Sequence, residues 1–172
     1  MKLVRPEKKY REKLQEFFVN FQGEKLYLHN ENLDDEKEFN KWLEEIEKFA
    51  KGKDLPKSYV RADVYLMVDE EDNLIGIIAL RHELTENLKK FGGNIGYAIN
   101  TKYRKKGHGT QMLILCLEKA KKIGLKEVLL TCNDKNLGSI GVIENNKGKL
   151  KDKIENNIDG EKFLTRRYLI EL

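Results

Sequence analysis

The sequence predicts an α/β domain in which an antiparallel meander leads into one parallel strand–helix–strand unit. Apolar residues recur at helical spacing in residues 10–21 and 39–49, whereas short apolar runs at 64–68 and 74–80 indicate strands. A strand, a helix and a second strand then follow one another over residues 94–132, which is typical of a parallel crossover.

Length and composition favour one domain with a sizeable core. The chain has 172 residues, of which 40% are hydrophobic and 36% are charged. A chain of about 150 residues buries roughly 68–70% of its unfolded surface, so we predict a single domain over residues 1–172. The patterned apolar segments exclude a disordered or collagen-like chain.

The cysteine pattern indicates a cytoplasmic protein. A formal charge of +4 does not by itself indicate a partner. No apolar stretch approaches the ~20 residues that span a bilayer, and the first residues contain no signal-peptide core. Cys116 and Cys132 form no CxxC pair. We therefore expect a reducing compartment and no membrane partner.

Residues that typically begin and end helices flank the two predicted N-terminal helices. Lys2 to Val4 reads as a short strand, and Pro6 then suits a helix start because its missing N–H is no loss there. The second helix begins near the acidic residues at 34–36 and ends before Gly52. The strands at 64–68 and 74–80 form a predicted hairpin.

The C-terminal half contains two more helices and three strands. The first helix runs to about Ile123, and Gly124 suits the position after its end. Its predicted buried residues are Met112, Leu113, Cys116, Leu117, Ala120 and Ile123. A strand at 127–132, a short helix at 136–145 and a strand pair at 149–154 and 163–172, turned at Asp159-Gly160, complete the chain.

A basic loop with two glycines lies between the predicted strand at 94–100 and the helix after it. The first turn of a helix leaves backbone N–H groups without partners, and its dipole favours negative charge. Glycines let the backbone approach a phosphate closely. The spacing allows an anion site or a plain basic loop, and neither GxxxxGK[ST] nor a full GxGxxG is present. The loop residues are Arg104, Lys105, Lys106, Gly107, His108, Gly109 and Thr110.

The run from Arg104 to Gly109 resembles the [QR]-x-x-G-x-[GA] motif of the GNAT N-acetyltransferase superfamily. The segment from Asn136 to Ser139 is similar to the N-x-x-[AS] start of that family's next helix. The order of elements fits the family over nearly the whole chain, and the segments at 81–84 and 92–97 resemble a bacterial subgroup of predicted acetyltransferases.

This resemblance implies a mixed, mostly antiparallel sheet of about six to seven strands with one parallel crossover, flanked by helices. It also implies transfer of an acetyl group from acetyl-CoA to a primary amine by direct attack. The loop would grip the pyrophosphate of acetyl-CoA, and a backbone N–H at Ile99 would stabilise the developing oxyanion. The implied cofactor-binding residues are Ile99, Arg104, Lys105, Lys106, Gly107, His108, Gly109, Thr110 and Asn136.

The resemblance does not identify the general base and the general acid of the reaction. Glu83, just beyond a central strand, is the first candidate base and His82 the second; alternatively both belong to a solvated strand end. Many members of the family use a tyrosine as the general acid that protonates the leaving thiolate of coenzyme A. Its position is Ile143 here, so Tyr168 or solvent would protonate the thiolate instead. Cys132 is either a ping-pong nucleophile or, more simply, a packed residue.

Other features bear on partners. The histidines have no ligand spacing, so we expect no metal. Residues 31–47 carry eight acidic residues against two lysines, which would steer a cationic amine or simply form a solvated helix face.

The acceptor would be a small-molecule or peptide amine. A non-catalytic acyl-CoA-binding or regulatory domain is the alternative. A nucleic-acid module is disfavoured because no interleaved aromatic residues lie near the loop. Paired C-terminal strands in the family imply a possible homodimer.

Overall fold

The computed structural model describes residues 1–21, 33, 35–158 and 160–172, and within them seven strands form two antiparallel sheets. The first sheet has the order β1-β2-β3-β4 and the second the order β5-β7-β6. The strands are β1 (Lys2–Val4), β2 (Ala62–Val68), β3 (Leu74–Arg81), β4 (Ile95–Ile99), β5 (Glu127–Asn133), β6 (Lys149–Ile158) and β7 (Glu161–Glu171). The helices are α1 (Arg11–Val19), α2 (Glu36–Lys51), α3 (Glu86–Phe91), α4 (His108–Lys122) and α5 (Leu137–Asn145).

The first sheet is covered on both faces, which explains why β3 is apolar along nearly its whole length. One face packs against α1 and α2 through a cluster that includes Phe17, Trp42 and Ile77. The opposite face packs against α4 through a cluster that includes Ile78 and Met112 and extends onto the second sheet. Among the described helices, none is long and apolar enough to cross a membrane.

The predicted helix signals at α2 are confirmed. The Asp35 carboxylate accepts hydrogen bonds from the N–H groups of Lys37 at 2.7 Å and Glu38 at 3.2 Å, which satisfies two otherwise unpaired donors. Gly52 ends the helix with φ of 64°, a left-handed conformation that glycine adopts at little cost.

Three sequence-based predictions differ from the structure. Ile123 is 41% exposed rather than buried, because it lies just beyond the last residue of α4. The short helix α3 was not predicted, although Thr85 caps it by accepting from the N–H of Leu88. The C-terminal hairpin is longer than expected; Gly160 lies in its turn, and Asp159 lies outside the described residues.

The predicted single mixed sheet is replaced by two sheets that meet at Asn94. The N–H of Asn94 donates to Leu129 O at 2.7 Å, and the Asn94 Oδ1 accepts from the N–H of Leu129 at 2.8 Å. Asn94 also donates through Nδ2 to Arg81 O at 3.2 Å. No ladder continues from this bridge along β4 and β5, so the two strands of the predicted parallel pair belong to different sheets.

Glycine at position 93 permits this meeting. A Cβ there would lie 2.3 Å from Leu129 O, and the residue has φ of 63°. A side chain would therefore push the two sheets apart where the bridge forms.

Replacing Asn94 by Ala should destabilise the protein by about 1–3 kcal/mol, because it leaves the buried Leu129 N–H and Arg81 O without these partners. Urea unfolding measures the change. Asn157→Ala, on the exposed face of β6, is the matched control and should leave the unfolding midpoint unchanged. Equal midpoints for both variants would show that the Asn94 bridge does not hold the sheets together.

Candidate active site

The edge of β4 that faces β5 carries backbone groups that β3 does not use. In the β3–β4 ladder, Arg81 N–H donates to Asn94 O and Asn100 N–H donates to Ile75 O. Because alternate residues of an antiparallel strand bond to the same neighbour, the backbone groups of Ile95, Tyr97 and Ile99 point away from β3.

The facing edge of β5 follows the same rule. Leu172 N–H donates to Lys126 O and Asp134 N–H donates to Leu164 O, so even-numbered residues of β5 bond to β7. The backbone groups of Leu129, Thr131 and Asn133 therefore point towards β4. Beyond the Asn94 bridge, the two strands present backbone donors and acceptors to a gap between the sheets.

The N-terminus of α4 lies at the end of β4 and has an uncapped first turn. Its first intrahelical hydrogen bond runs from Gln111 N–H to Gly107 O at 3.1 Å, and the residue before the helix, Gly107, has no side chain that could cap it. The N–H groups of residues 108–110 consequently have no acceptor in the helix. Gly107 has φ of 81°, and no atom lies within 4 Å of where its Cβ would be. This geometry suits an anion.

The loop before this helix end carries three cationic side chains, Arg104, Lys105 and Lys106. Arg104 donates through Nε to Ile99 O at 3.2 Å, and its guanidinium lies 5.0 Å from the centre of the Phe21 ring. Lys105 and Lys106 are exposed. The loop therefore adds positive charge beside the gap-facing carbonyl of β4.

Gly109 lets α4 pack closely against α5. A Cβ at Gly109 would lie 2.8 Å from Val142 Cγ2, and the residue is buried. Asn146, itself buried, donates through Nδ2 to Thr110 O at 3.3 Å and to Val142 O at 2.8 Å. The first turn of α4 is thus held against α5 at the open end of the gap. The imidazole of His108 packs beside Tyr103, with ring centres 6.2 Å apart.

Asn136 caps α5, with its Oδ1 accepting from Ser139 N–H at 3.0 Å. Tyr97, which was not predicted as a site residue, extends from β4 to the same helix, where its hydroxyl donates to Ser139 O at 3.5 Å. Burial raises the pKa of Tyr97 to about 12. This tyrosine therefore links β4 to α5 as a protonated hydroxyl.

An apolar cavity of about 530 Å³ lies on the face of the first sheet that carries α2. Apolar side chains make most of its wall: Phe18, Trp42, Ile46, Phe49, Tyr59, Val60, Ala62, Val64, Ile77, Ala79 and Leu88. Its ionisable residues are Glu45, Lys57, Arg81 and Glu86. Glu45 belongs to the acidic segment noted in the sequence, of which Glu31 and Asp34 lie outside the described residues.

The two candidate bases do not line this cavity. Glu83 is exposed in the bend after β3. His82 lies on the α4 side, where its Nε2 and Asp63 Oδ2 are 2.8 Å apart. Although burial opposes it, hydrogen bonds from His82 and Arg5 hold the pKa of Asp63 below its usual value. Arg81, the residue before His82, points into the cavity instead, as alternation along the strand requires.

Tyr168 is fully buried in β7 and belongs to a polar group. Its hydroxyl donates to Glu144 Oε1 at 2.9 Å and accepts from Arg166 Nη1 at 3.2 Å. Burial and the Glu144 carboxylate raise the pKa of Tyr168, outweighing the effect of Arg166. Ile143, at the position of the resembled family's tyrosine, is a core residue only 1% exposed.

Cys132 is half-buried at the end of β5, and burial raises its pKa to about 11. The thiol is protonated near neutral pH, which disfavours the ping-pong role. No group of three or more histidine, cysteine or acidic residues that could hold a metal ion occurs among the described residues.

Residues 3–149 match the family model described as an acetyltransferase (GNAT) domain. The chain belongs to the GNAT acetyltransferase family. No curated protein sequence matches the chain.

Solved structures of other acetyltransferases have the same fold as this GNAT chain. RimL, a ribosomal L7/L12 α-N-protein acetyltransferase in complex with coenzyme A, is 15% identical with a TM-score of 0.72, over 99% of this chain and 93% of that one. The Salmonella typhimurium enzyme that modifies the N-terminal serine of the same ribosomal protein is 15% identical, with a TM-score of 0.71 and coverage of 99% and 94%. The microcin C7 self-immunity acetyltransferase MccE, in complex with acetyl-CoA and AMP, is 15% identical, with a TM-score of 0.72 and coverage of 99% and 91%.

Replacing Gly109 by Ala should destabilise this GNAT domain by about 1–3 kcal/mol, because the new methyl group meets Val142 Cγ2. Thermal or urea unfolding measures the loss. Val142→Ala removes the methyl group that the new side chain meets. Gly109→Ala should therefore lower the free energy of unfolding less in the Val142→Ala background than in the wild-type protein. Strict additivity of the two single changes would contradict the contact.

The raised pKa predicts slow alkylation of Cys132. At pH 8 a thiol with a pKa of about 11 is thiolate in roughly one molecule in 10³, so iodoacetamide should react at least about 10²-fold more slowly than with an ordinary thiol. The rate should rise with pH up to that pKa. Mass spectrometry of native and urea-unfolded protein gives the comparison, and equal rates in the two states would contradict the prediction.

Proposed function

We propose that the protein is an acetyl-CoA-dependent N-acetyltransferase that acetylates a primary amine by direct attack. One observation carries the proposal: the uncapped N-terminus of α4 lies beside a gap between β4 and β5 whose facing backbone groups form no ladder. An anionic, extended molecule with amide groups fits both parts of this site. Family membership and the acetyltransferases of similar fold support the same conclusion.

The residues present fit acetyl-CoA, which supplies the reactive thioester when bound. The N–H groups of His108, Gly109 and Thr110 would bind the pyrophosphate, and Gly107 leaves space for it. The side chains of Arg104, Lys105 and Lys106 would balance its charge. Asn136 would contact the pantetheine arm through the part of its amide that does not cap α5.

Ile99 would stabilise the transition state, and the cavity would admit the acceptor amine. The N–H of Ile99 points away from β3 and would stabilise negative charge developing on the thioester oxygen. The acceptor amine would enter from the cavity, attack the carbonyl carbon and form a C–N bond as the C–S bond breaks. The amine loses one proton to a base, and the thiolate takes up one proton to leave as a thiol.

Two carboxylates are candidate bases. Glu83 remains the sequence-based prediction, acting directly or through a water. Glu45 is the stronger structural candidate because it is half-buried and lines the cavity. For the acid, Tyr97 lies at the gap, whereas Tyr168, the sequence-based choice, is buried with its hydroxyl donating to Glu144.

Reversing the charge of Lys105 and Lys106 with glutamate should weaken coenzyme A binding by about 10-fold or more, because the cofactor is polyanionic. Isothermal titration calorimetry at fixed ionic strength measures the affinity. The matched control reverses Lys121 and Lys122 at the opposite end of the same helix, and it should change the affinity by less than about threefold. Equal losses in both variants would contradict cofactor binding at the loop.

A thiol-release assay over a panel of amines tests catalysis and separates the bases. If Glu45 accepts the proton, Glu45→Gln should lower kcat/KM by roughly 10²-fold or more at pH 7, and the deficit should shrink as the pH approaches the pKa of the amine. Glu83→Gln should leave kcat/KM nearly unchanged. The reverse ranking would restore Glu83 as the base. Coenzyme A binding without thiol release from any amine would instead favour the non-catalytic acyl-CoA-binding domain.

A further inference from the structure

Arg81 is a half-buried cationic residue of the apolar cavity, which the exposed Lys57 also lines. It is the last residue of β3, on the same face as Ile77 and Ala79, which also line the cavity. Its guanidinium lies over Gly96 of β4, with Nη1 and Nη2 at 3.8 and 4.0 Å from where a Cβ of that glycine would be. Arg81 is therefore held beside the strand whose far edge faces the gap.

The hydrogen bonds of Arg81 leave one edge of its guanidinium unused. Nη1 donates to Gly93 O at 3.1 Å and to Gly92 O at 3.4 Å, and these bonds orient the group. Nε and Nη2 donate to none of the described residues, and no described carboxylate forms an ion pair with Arg81. Burial lowers the pKa of Arg81, which reflects a cation removed from water without a counter-ion. An arginine side chain nevertheless stays protonated near neutral pH.

The unused edge has the geometry that binds a carboxylate. Nε and the neighbouring Nη2 project two parallel N–H groups, which match the two oxygens of a carboxylate. Arg167 of this chain provides an example: its Nε and Nη2 donate to the two carboxylate oxygens of Asp152 at 2.6 and 2.5 Å. Arg81 presents the same edge, and no carboxylate among the described residues lies opposite it.

The rest of the cavity indicates what accompanies that carboxylate. Trp42, Ile46 and Phe49 of α2 and Val64 of β2 provide an apolar wall, and about 530 Å³ is ample for a large apolar side chain. Glu45 provides a carboxylate on the same wall, suited to an ammonium group. The cavity thus combines the Arg81 guanidinium, the Glu45 carboxylate and an apolar surface. Its other two charged residues are Lys57, which is exposed, and Glu86, whose carboxylate pairs with Lys89 Nζ at 2.7 Å.

We propose that the acceptor is a free amino acid with an apolar side chain, whose carboxylate pairs with Nε and Nη2 of Arg81. This assignment rests on the proposed N-acetyltransferase function and names its substrate class. The carboxylate bound over Gly96 holds the adjacent amine beside β4, and the apolar side chain fills the cavity. Transfer yields an N-acetyl amino acid and the free thiol of coenzyme A. A peptide N-terminus lacks the adjacent carboxylate and is a poor acceptor.

Binding of amino acids and their amides tests the assignment without requiring turnover. The probes are L-phenylalanine, L-leucine and L-methionine and the corresponding amides, titrated calorimetrically in the presence of excess coenzyme A. The wild-type protein should bind at least one amino acid 10-fold or more tightly than its amide. Arg81→Gln should weaken binding of that amino acid by about 10- to 100-fold and leave the amide unchanged.

Two further variants control for structure. Arg61→Gln removes an arginine that also donates to a backbone carbonyl, Ala50 O at 2.8 Å, but does not line the cavity, so binding should not change. Arg81→Lys keeps the charge without the two parallel N–H groups, so it should bind the amino acid more tightly than Arg81→Gln but more weakly than the wild-type protein. If Arg81→Gln does not fold, the lysine variant alone must still lower the preference for the acid over the amide.

The outcomes separate this assignment from the proposed function. Equal binding of acids and amides, equal losses for both in Arg81→Gln, or no binding of any of the three amino acids would overturn the assignment. Thiol release with other amines but not with these would overturn it while keeping the N-acetyltransferase. Amino-acid binding that depends on Arg81, without thiol release from any amine, would keep the cavity assignment and remove the enzymatic function.

Discussion

The hydrogen bonds between Asn94 and Leu129 are the constraint on which the site depends. They join two sheets at one point, so the remaining lengths of β4 and β5 lie with their backbone edges facing each other and without a shared ladder. Buried backbone groups need partners, and a ligand with amide groups can supply them. A continuous parallel ladder between β4 and β5 would close the gap. Complete separation of the two sheets would leave the gap without a defined shape.

The strand β4 then separates two environments. On the side of α4 and α5 are the uncapped helix end, the basic loop and Tyr97, which together suit an anionic cofactor. On the side of α2 is the apolar cavity with Arg81 and Glu45. Gly96 and Ala98 are small residues of β4 on the cavity side of the sheet. In this account, acceptor and thioester approach the same strand from opposite sides.

Local signals in the sequence were sufficient for the ends of α2 and for the position of the loop between β4 and α4, but not for the cavity. Asp35 and Gly52 act within their own turns, and the glycines of the loop act on the backbone beside them, so short-range rules apply. The pairing of His82 with Asp63 and the orientation of Arg81 towards α2 depend on which helices cover each sheet face. Alternation predicts that neighbours on β3 face opposite ways; it does not predict which face holds the cavity. The helix α3 was the avoidable omission, because Thr85 is a standard cap.

Hydrogen–deuterium exchange with and without coenzyme A shows whether the cofactor occupies the gap between β4 and β5. If the cofactor occupies the gap held open at Asn94, exchange of the N–H groups of Tyr97, Ile99 and residues 107–110 should slow on binding. The outer strand β6 should be unaffected and serves as an internal reference. Protection confined to other parts of the chain, with residues 97–110 unchanged at saturating coenzyme A, would contradict the account.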